Sequence, residues 1–505
     1  MGCLLAVALL PLIVLAAELL AHNALAQIKS TLGVARMWTL LAETIGLALT
    51  VTALALVIGV PLGLLLGRTD IAGRRVALVV HAFPLFLPPF LVALGWFHLF
   101  GQQAPLGSEV TSRLLFSPLG VVVTLGLVFS PVVTGLTMVG LHGIDPSLEE
   151  AGRGVARQSR VTLRILLPLA SPAISFAALI VFALSISEIG VPMFLRVRSY
   201  SAAVFTRLGG LDYSPGEAFA LVLPLLAIAL LMLLVERRFM GRRSFASLGM
   251  RSNQQRTIAL NRARFPLSMA VWVLCGASIA PLIALVVKAR AGGFSALGRW
   301  VGASLTNSVM VALVAASLIT VVGIIIGLRL ARGKRGSALL DGMALLSFMT
   351  PAAVLGVGLV ETWNRPATQF IYATAAILVV GLVARYAAIG VRTMAAVASR
   401  SSASYDEAAA VFGGGFLRRM GRIFLPMHAQ GIIAAWLLAL VFCLRDLETV
   451  VIFYPPGGET LPVRIFALEA NGPEEVVSAL AVLHVGLTAA VLAFGGLLLR
   501  KTRWK

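Results

Sequence analysis

Hydrophobic positions along this chain gather into long blocks separated by short polar, arginine-bearing connections. Twelve blocks stand out, near 2–21, 44–67, 76–100, 118–142, 170–190 and 217–236, then 266–288, 305–328, 338–360, 370–396, 428–453 and 474–499. A helix needs roughly 20 apolar residues to cross a bilayer, so each block predicts one membrane helix. The expected fold class is an all-α polytopic membrane protein of about twelve transmembrane helices, arranged in two pseudo-equivalent six-helix halves. Gly and Pro within the blocks do not count against this, because neighbouring helices re-satisfy the freed backbone groups. Pro84, Pro88 and Pro89 predict a kink in the third block.

Composition narrows the class further. Of 505 residues, 59% are hydrophobic and 12% charged, with a mean hydropathy of +0.96. A soluble chain carries about twice that charged fraction. A water-soluble enzyme, a disordered chain and a disulfide-stapled secreted domain are therefore excluded. The cysteines Cys3, Cys275 and Cys443 are far apart and form no CxxC or Cys/His cluster, so neither a disulfide framework nor a zinc site is expected. His81, His98, His142, His428 and His484 are scattered and read as packing residues, so no metal site and no cofactor is expected. At the start, no Lys or Arg precedes the apolar run Leu4 to Leu20, which reads as a first membrane helix rather than a signal peptide. So abrupt a start points to further residues upstream.

Lys plus Arg is 41 against 21 Asp plus Glu, for a net charge of +20. In a soluble protein that excess would suggest nucleic acid; in a membrane protein, short loops rich in Lys and Arg stay cytoplasmic. With the N-terminus inside, 27 of these cations fall in inside connections and 11 in outside loops, which places both termini in the cytoplasm. Nucleic acid is not an expected partner; the lipid bilayer is.

The chain reads as a duplication. Gly59-x-x-x-Gly63 recurs as Gly323-x-x-x-Gly327, 264 positions later, and each pair precedes a short basic turn. Phe182 through Glu188 recurs as Phe442 through Glu448, 260 positions later. The expected division is a first half at 1–236, a basic cytoplasmic linker at 237–265 and a second half at 266–505. An even number of crossings per half makes the repeats parallel, about an axis along the membrane normal.

The inside connections between the fourth and fifth blocks are several times longer than the usual 4–6 residues or so. The first runs from Leu148-Glu149-Glu150-Ala151-Gly152 to Leu167-Pro168, the second from Asp406-Glu407-Ala408-Ala409 through Gly413 to Leu425-Pro426. Each reads as a short helix, a glycine break, a second short helix and a proline opening the next span, with Asp145 and Asp406 placed to cap the first helix. Such a piece is a docking surface for another protein.

Here the chain resembles the permeases of binding-protein-dependent ABC importers. Glu407, Ala408, Ala409, Gly413, Ile423, Leu425 and Pro426 match that family's coupling-loop pattern fully. In the first loop Glu150-Ala151-Gly152 replaces Glu-Ala-Ala, Ala156 stands at the expected glycine, and the run to Pro168 is one residue shorter. The fused, two-half form is similar to ferric-iron permeases, and the closing stretch from Leu447 to Phe466 points the same way; relatives for thiamine, aminoethylphosphonate and polyamines belong to the same subgroup.

The resemblance implies alternating access in the bacterial inner membrane. It implies two copies of a cytoplasmic ATPase subunit that dock on the coupling loops, and an extracytoplasmic binding protein that delivers a small solute, ferric iron being the first expectation. Gly333-Lys334 is followed by Arg335 and lacks P-loop spacing, so the chain is not expected to be an enzyme. The competing reading is a secondary transporter of the major facilitator kind, supported by Gly67 through Arg75; the second half lacks the matching Asp.

Charges inside the blocks need a reason, since each costs at least about 2.5–3.5 kcal/mol at the bilayer centre. Glu188, Arg445, Asp446 and Glu448 are the candidate lining of a translocation path, with Glu188 and Glu448 at matching places. Arg385 and Arg392 read as lying near the inner surface.

Overall fold

The computed structural model describes residues 10–15, 17, 29–209, 215–240, 257–399 and 415–501. Among them there is no β-strand; Thr69 and Ile258 form one isolated bridge. Among the described residues, eight helices are long and apolar enough to cross a bilayer, or up to eleven if each of three bent helix pairs is one span. The expected segment at 2–21 lies largely outside the described residues. The helices group into two compact units, Ala26–Trp300 with Ile465–Val482, and Met1–Leu25 with Val301–Arg464 and Leu483–Lys505.

The first unit contains α1 (Ala35–Arg68), α2 (Arg74–Ala82), α3 (Pro89–Phe100), α4 (Pro118–His142), α5 (Pro146–Val155), α6 (Leu167–Ser187), α7 (Tyr200–Gly209), α8 (Pro215–Met240) and α9 (Arg264–Ala289). Small residues let α1 lie against α4. A Cβ on Gly59 would stand 2.7 Å from the Ser130 carbonyl oxygen, and one on Gly63 2.8 Å from that of Thr134. α2 and α3 meet at 104°, so the third expected segment is a broken pair rather than a kinked span. Leu87 is extended there (φ −111°, ψ 153°), as the residue before a proline prefers. The first helix after the linker, α9, packs on α3, with the Pro281 carbonyl where a Cβ on Gly95 would be. The described end of the linker folds onto the end of α1. Ile258 N donates to the Arg68 carbonyl at 2.8 Å, and Leu260 N to Asp70 Oδ1 at 3.0 Å.

The second unit contains α10 (Ser304–Ala331), α11 (Ser337–Met349), α12 (Ala352–Trp363), α13 (Ala376–Ala398) and α14 (Ala429–Arg445); α15 (Leu461–Glu469) and α16 (Glu474–Lys501) contribute residues to both units. The repeat is visible in the backbone of each unit. Gly323 and Gly327 let α10 approach α13 at Gly390 and Val391. Gly73 and Gly336 precede α2 and α11 in the left-handed region, at φ 67° and 79°, where any Cβ is strained. The α11–α12 pair bends by 105° at Thr350-Pro351. A π turn spans Thr162–Leu166 in one unit and Met420–Phe424 in the other, each directly before Leu-Pro. Pro168 and Pro426 cannot close the bond to the fourth residue back, and the widened turn relieves the clash with that carbonyl. Thr44 Oγ1 accepts from Tyr200 N at 2.9 Å, and Ser308 Oγ accepts from Leu461 N at 2.6 Å.

Candidate functional site

The first coupling segment forms α5. Asp145 caps it, Oδ1 accepting from Ser147 N at 3.0 Å, and Pro146 opens it. Two faces follow from the helical phase. Glu149 and Gly152 turn inward and are buried; Leu148, Glu150, Ala151 and Val155 turn outward, with Val155 88% exposed. The outward set is an apolar stripe at i, i+3, i+7 beside one carboxylate, the pattern of a helix that seats in a partner's groove.

The inward face is fixed by charge. Glu149 is 6% exposed and bonds the Arg68 guanidinium through Oε2; its Oε1 takes Arg153 Nη2 at 2.6 Å. Arg68, also buried, ends α1 and donates from Nη1 to the Leu141 carbonyl at 3.3 Å, next to the end of α4. One guanidinium thus joins α1, α4 and α5. Glu149 and Glu150 are adjacent and alike in sequence; the structure separates them into an internal tie and an outward charge. Nothing local in the sequence marks Arg68 as the partner of that tie. Gly152, the departure from the family pattern, lies against Ile165, whose Cδ1 would be 2.7 Å from an added Cβ, so an alanine requires that side chain to rotate.

Leu167 and Pro168 open α6, and Leu425 and Pro426 open the helix after the second π turn, so both loops re-enter the apolar region through the same backbone device. Glu407, Ala408, Ala409 and Gly413 lie outside the described residues. Asp70, which carried the facilitator-like motif, has a structural role, accepting from Leu260 N and standing 3.7 Å from Arg264 Nε.

The intramembrane charges fall in the two units separately. In the second, Asp446 ends α14 and accepts four bonds. Oδ2 takes Tyr386 OH at 2.6 Å and Thr449 Oγ1 at 2.9 Å; Oδ1 takes Thr449 N at 3.0 Å and Val450 N at 3.2 Å. Arg445 lies over the Phe442 ring, 5.5 Å from its centroid. Arg385 is 3% exposed and donates to the Thr350 carbonyl at the α11–α12 break. Arg392 forms a two-point ion pair with Asp341, Nε to Oδ1 at 3.0 Å and Nη2 to Oδ2 at 2.9 Å. Glu448 is 8% exposed and makes no hydrogen bond or ion pair with another described residue. In the first unit Glu188, also buried, ends α6 and accepts from Val191 N at 3.1 Å.

The backbone corrects one pairing. Glu188 and Asp446 are both extended residues directly after their helix, with φ −67° in each, and both accept from the amide three residues on. Glu188 therefore matches Asp446, two residues before the Glu448 that the sequence offset selected. Tyr386 and Thr449 were not singled out in the sequence, where nothing local marks them as partners of Asp446. Among the described residues no group of three or more His, Cys, Asp or Glu could hold a metal ion.

Relatives give this geometry a context. No family model matches the chain. It is 22% identical to the ferric transport system permease protein FbpB of Actinobacillus pleuropneumoniae, over 86% of this chain and 67% of that protein. It is 24% identical to a putative ferric transport system permease protein, FbpB 1, of Haemophilus influenzae, over 75% and 65%. The chain thus spans about two thirds of the length of these relatives. A molybdenum transport system permease protein, ModB, of Escherichia coli aligns at 28% identity over 89% of its own length but only 38% of this chain. The chain is a relative of ABC-transporter permeases. A nearly whole single permease fits into less than half of it, as a duplicated chain requires. The major facilitator alternative finds no support among these relatives.

Proposed function

We propose that the chain is the transmembrane permease subunit of an ABC-type importer, working by alternating access and driven by a separate ATPase. The observation that carries this is the outward face of α5, an apolar stripe with Glu150 presented away from the fold while Glu149 ties the helix to α1 and α4. A mere connector needs no such face. By relation to FbpB, the cargo is ferric iron or a related small ligand, delivered by an extracytoplasmic binding protein. Two copies of the ATPase dock, one on each coupling loop, and both termini are cytoplasmic. The halves 1–236 and 266–505, joined by the linker 237–265, together form the path that alternates between its two facing states. Glu188, Arg445, Asp446 and Glu448 border the path. The buried carboxylate of Glu448 has no hydrogen-bond or ion-pair partner among the described residues, and water or solute satisfies it when the path is open. The chain itself makes and breaks no covalent bond.

The test is reconstitution of the full chain with a candidate ATPase and binding protein from the same organism. ATP-dependent uptake is expected, and Glu150→Lys with Glu407→Lys is expected to abolish copurification of the ATPase while the chain still folds. Ion-gradient-driven accumulation by the chain alone would overturn the reading.

A further inference from the structure

We propose that a cleft at the start of α1 binds the phosphodiester headgroup of an anionic glycerophospholipid. The cleft has a volume of about 420 Å³ and lies between the first turns of α1 and the stretch from Met193 into α7. Three arginines border it, Arg36 from α1 and Arg198 and Arg207 from the other wall, with Glu43 as the one acid. Arg207 is already engaged, 3.1 Å from Glu217. Arg36 and Arg198 are exposed and have no carboxylate partner among the described residues. Their guanidiniums offer the forked donors that suit a phosphate's oxygens.

The walls are held in place before any ligand arrives. Thr44 Oγ1 takes the Tyr200 amide at 2.9 Å, locking the start of α7 to α1, and Ser199 Oγ takes the Ala202 amide at 3.3 Å. Met37, Leu40 and Met193 also line the cleft. That combination of cationic and apolar lining suits a lipid, which brings a phosphate and a chain together.

Depth points the same way. α1 has 34 residues and is about 50 Å long, against roughly 30 Å of hydrocarbon. With its middle in the bilayer, both ends emerge by about 10 Å, at headgroup level. Arg68 and the coupling helix occupy one end and Arg36 the other. Trp38 is half exposed one residue beyond Met37, an aromatic of the kind that sits at the membrane–water interface. Glu43 accepts from the hydroxyls of a glycerol headgroup and repels a second phosphate, which selects phosphatidylglycerol over lipids with two phosphates.

The experiment is native mass spectrometry of the full-length chain, titrated in detergent with phosphatidylglycerol, phosphatidylethanolamine, phosphatidylcholine and inorganic phosphate. Phosphatidylglycerol is expected to bind most tightly. Each arginine near a headgroup contributes about fivefold, so Arg36→Gln with Arg198→Gln is expected to weaken it about 30-fold. Arg36→Lys with Arg198→Lys, which keeps the charge, is expected to stay closer to the parent chain. If the double Gln variant does not purify folded, Arg198→Gln alone gives the same reading at about fivefold. Equal retention of all three lipids, or unchanged binding in the Gln variants, overturns the proposal. So does inorganic phosphate binding as tightly as the lipid, which assigns the cleft to a free anion.

Discussion

Glu188 and Asp446 close equivalent helices with equivalent backbones, yet one is a glutamate and the other an aspartate. Both accept from the amide three residues on, and the shorter Asp446 side chain also takes the Tyr386 and Thr449 hydroxyls and the Val450 amide. The second unit further holds Arg385 at a broken helix and the Asp341–Arg392 pair. The duplicated scaffold is kept by backbone devices, the left-handed glycines, the proline breaks and the π turns, because each is needed for the chain to turn at all. Side-chain chemistry is free to diverge on top of that frame. It did so where hydrocarbon makes every polar group dependent on a specific partner.

That contrast can be broken or sharpened. The largest effect is expected outside the diverged region. Arg68→Ala leaves Glu149 buried without its main partner and is expected to cost about 3–5 kcal/mol. The readout is thermal unfolding of the purified chain; Arg68→Met with Glu149→Leu should recover part of the loss. An unchanged melt for the single variant would show that α5 is not tied through this pair.

Next, Tyr386→Phe removes a hydroxyl donor to a carboxylate and is expected to cost about 1.5–3 kcal/mol. Glu188→Gln should cost less, since its carbonyl oxygen can still accept from Val191. Equal losses in chemical denaturation would mean that the two helix ends are not chemically distinct. Smaller again, Thr44→Val and Ser308→Ala each remove the acceptor of one buried amide, at about 1–3 kcal/mol apiece. The two melts should drop alike, because the bonds are the same device in two repeats; a drop in only one would separate the scaffolds.

The smallest effect concerns Glu469 on α15. Burial raises its pKa above the usual carboxylate range, and Arg196 partly opposes this. A carboxyl held above its unfolded pKa binds its proton more tightly when folded. Its contribution is therefore complete below the unfolded value and declines as pH rises through the folded one. Glu469→Gln should flatten that part of the stability–pH curve above the ordinary glutamate value of about 4.3. An identical slope in parent and variant would remove Glu469 from the account.

The parts legible in sequence were those that depend on local spacing. Gly59, Gly63, Gly323 and Gly327 announced close helix contacts, and the structure brings a backbone carbonyl within 3 Å of each missing Cβ. The prolines from Pro84 to Pro89 announced a distortion, though not that Pro351 alone would bend the second repeat as sharply. What stayed hidden depends on distant residues. Nothing beside Glu149 and Glu150 says which faces inward; that follows from Arg68, 81 residues earlier. Tyr386 reaches Asp446 across 60 residues, and a two-residue drift in the repeat offset was enough to pair Glu188 with the wrong acid.

The unbroken run of α1 has a mechanical consequence. Its last residue is bolted to α5, and its first turn borders the cleft at the opposite end of the helix. For a lever of about 50 Å, a tilt of roughly 5° about one tip carries the other about 4 Å sideways. A small stroke at the Arg68 tip is then felt at the other end without any relay of side chains between them.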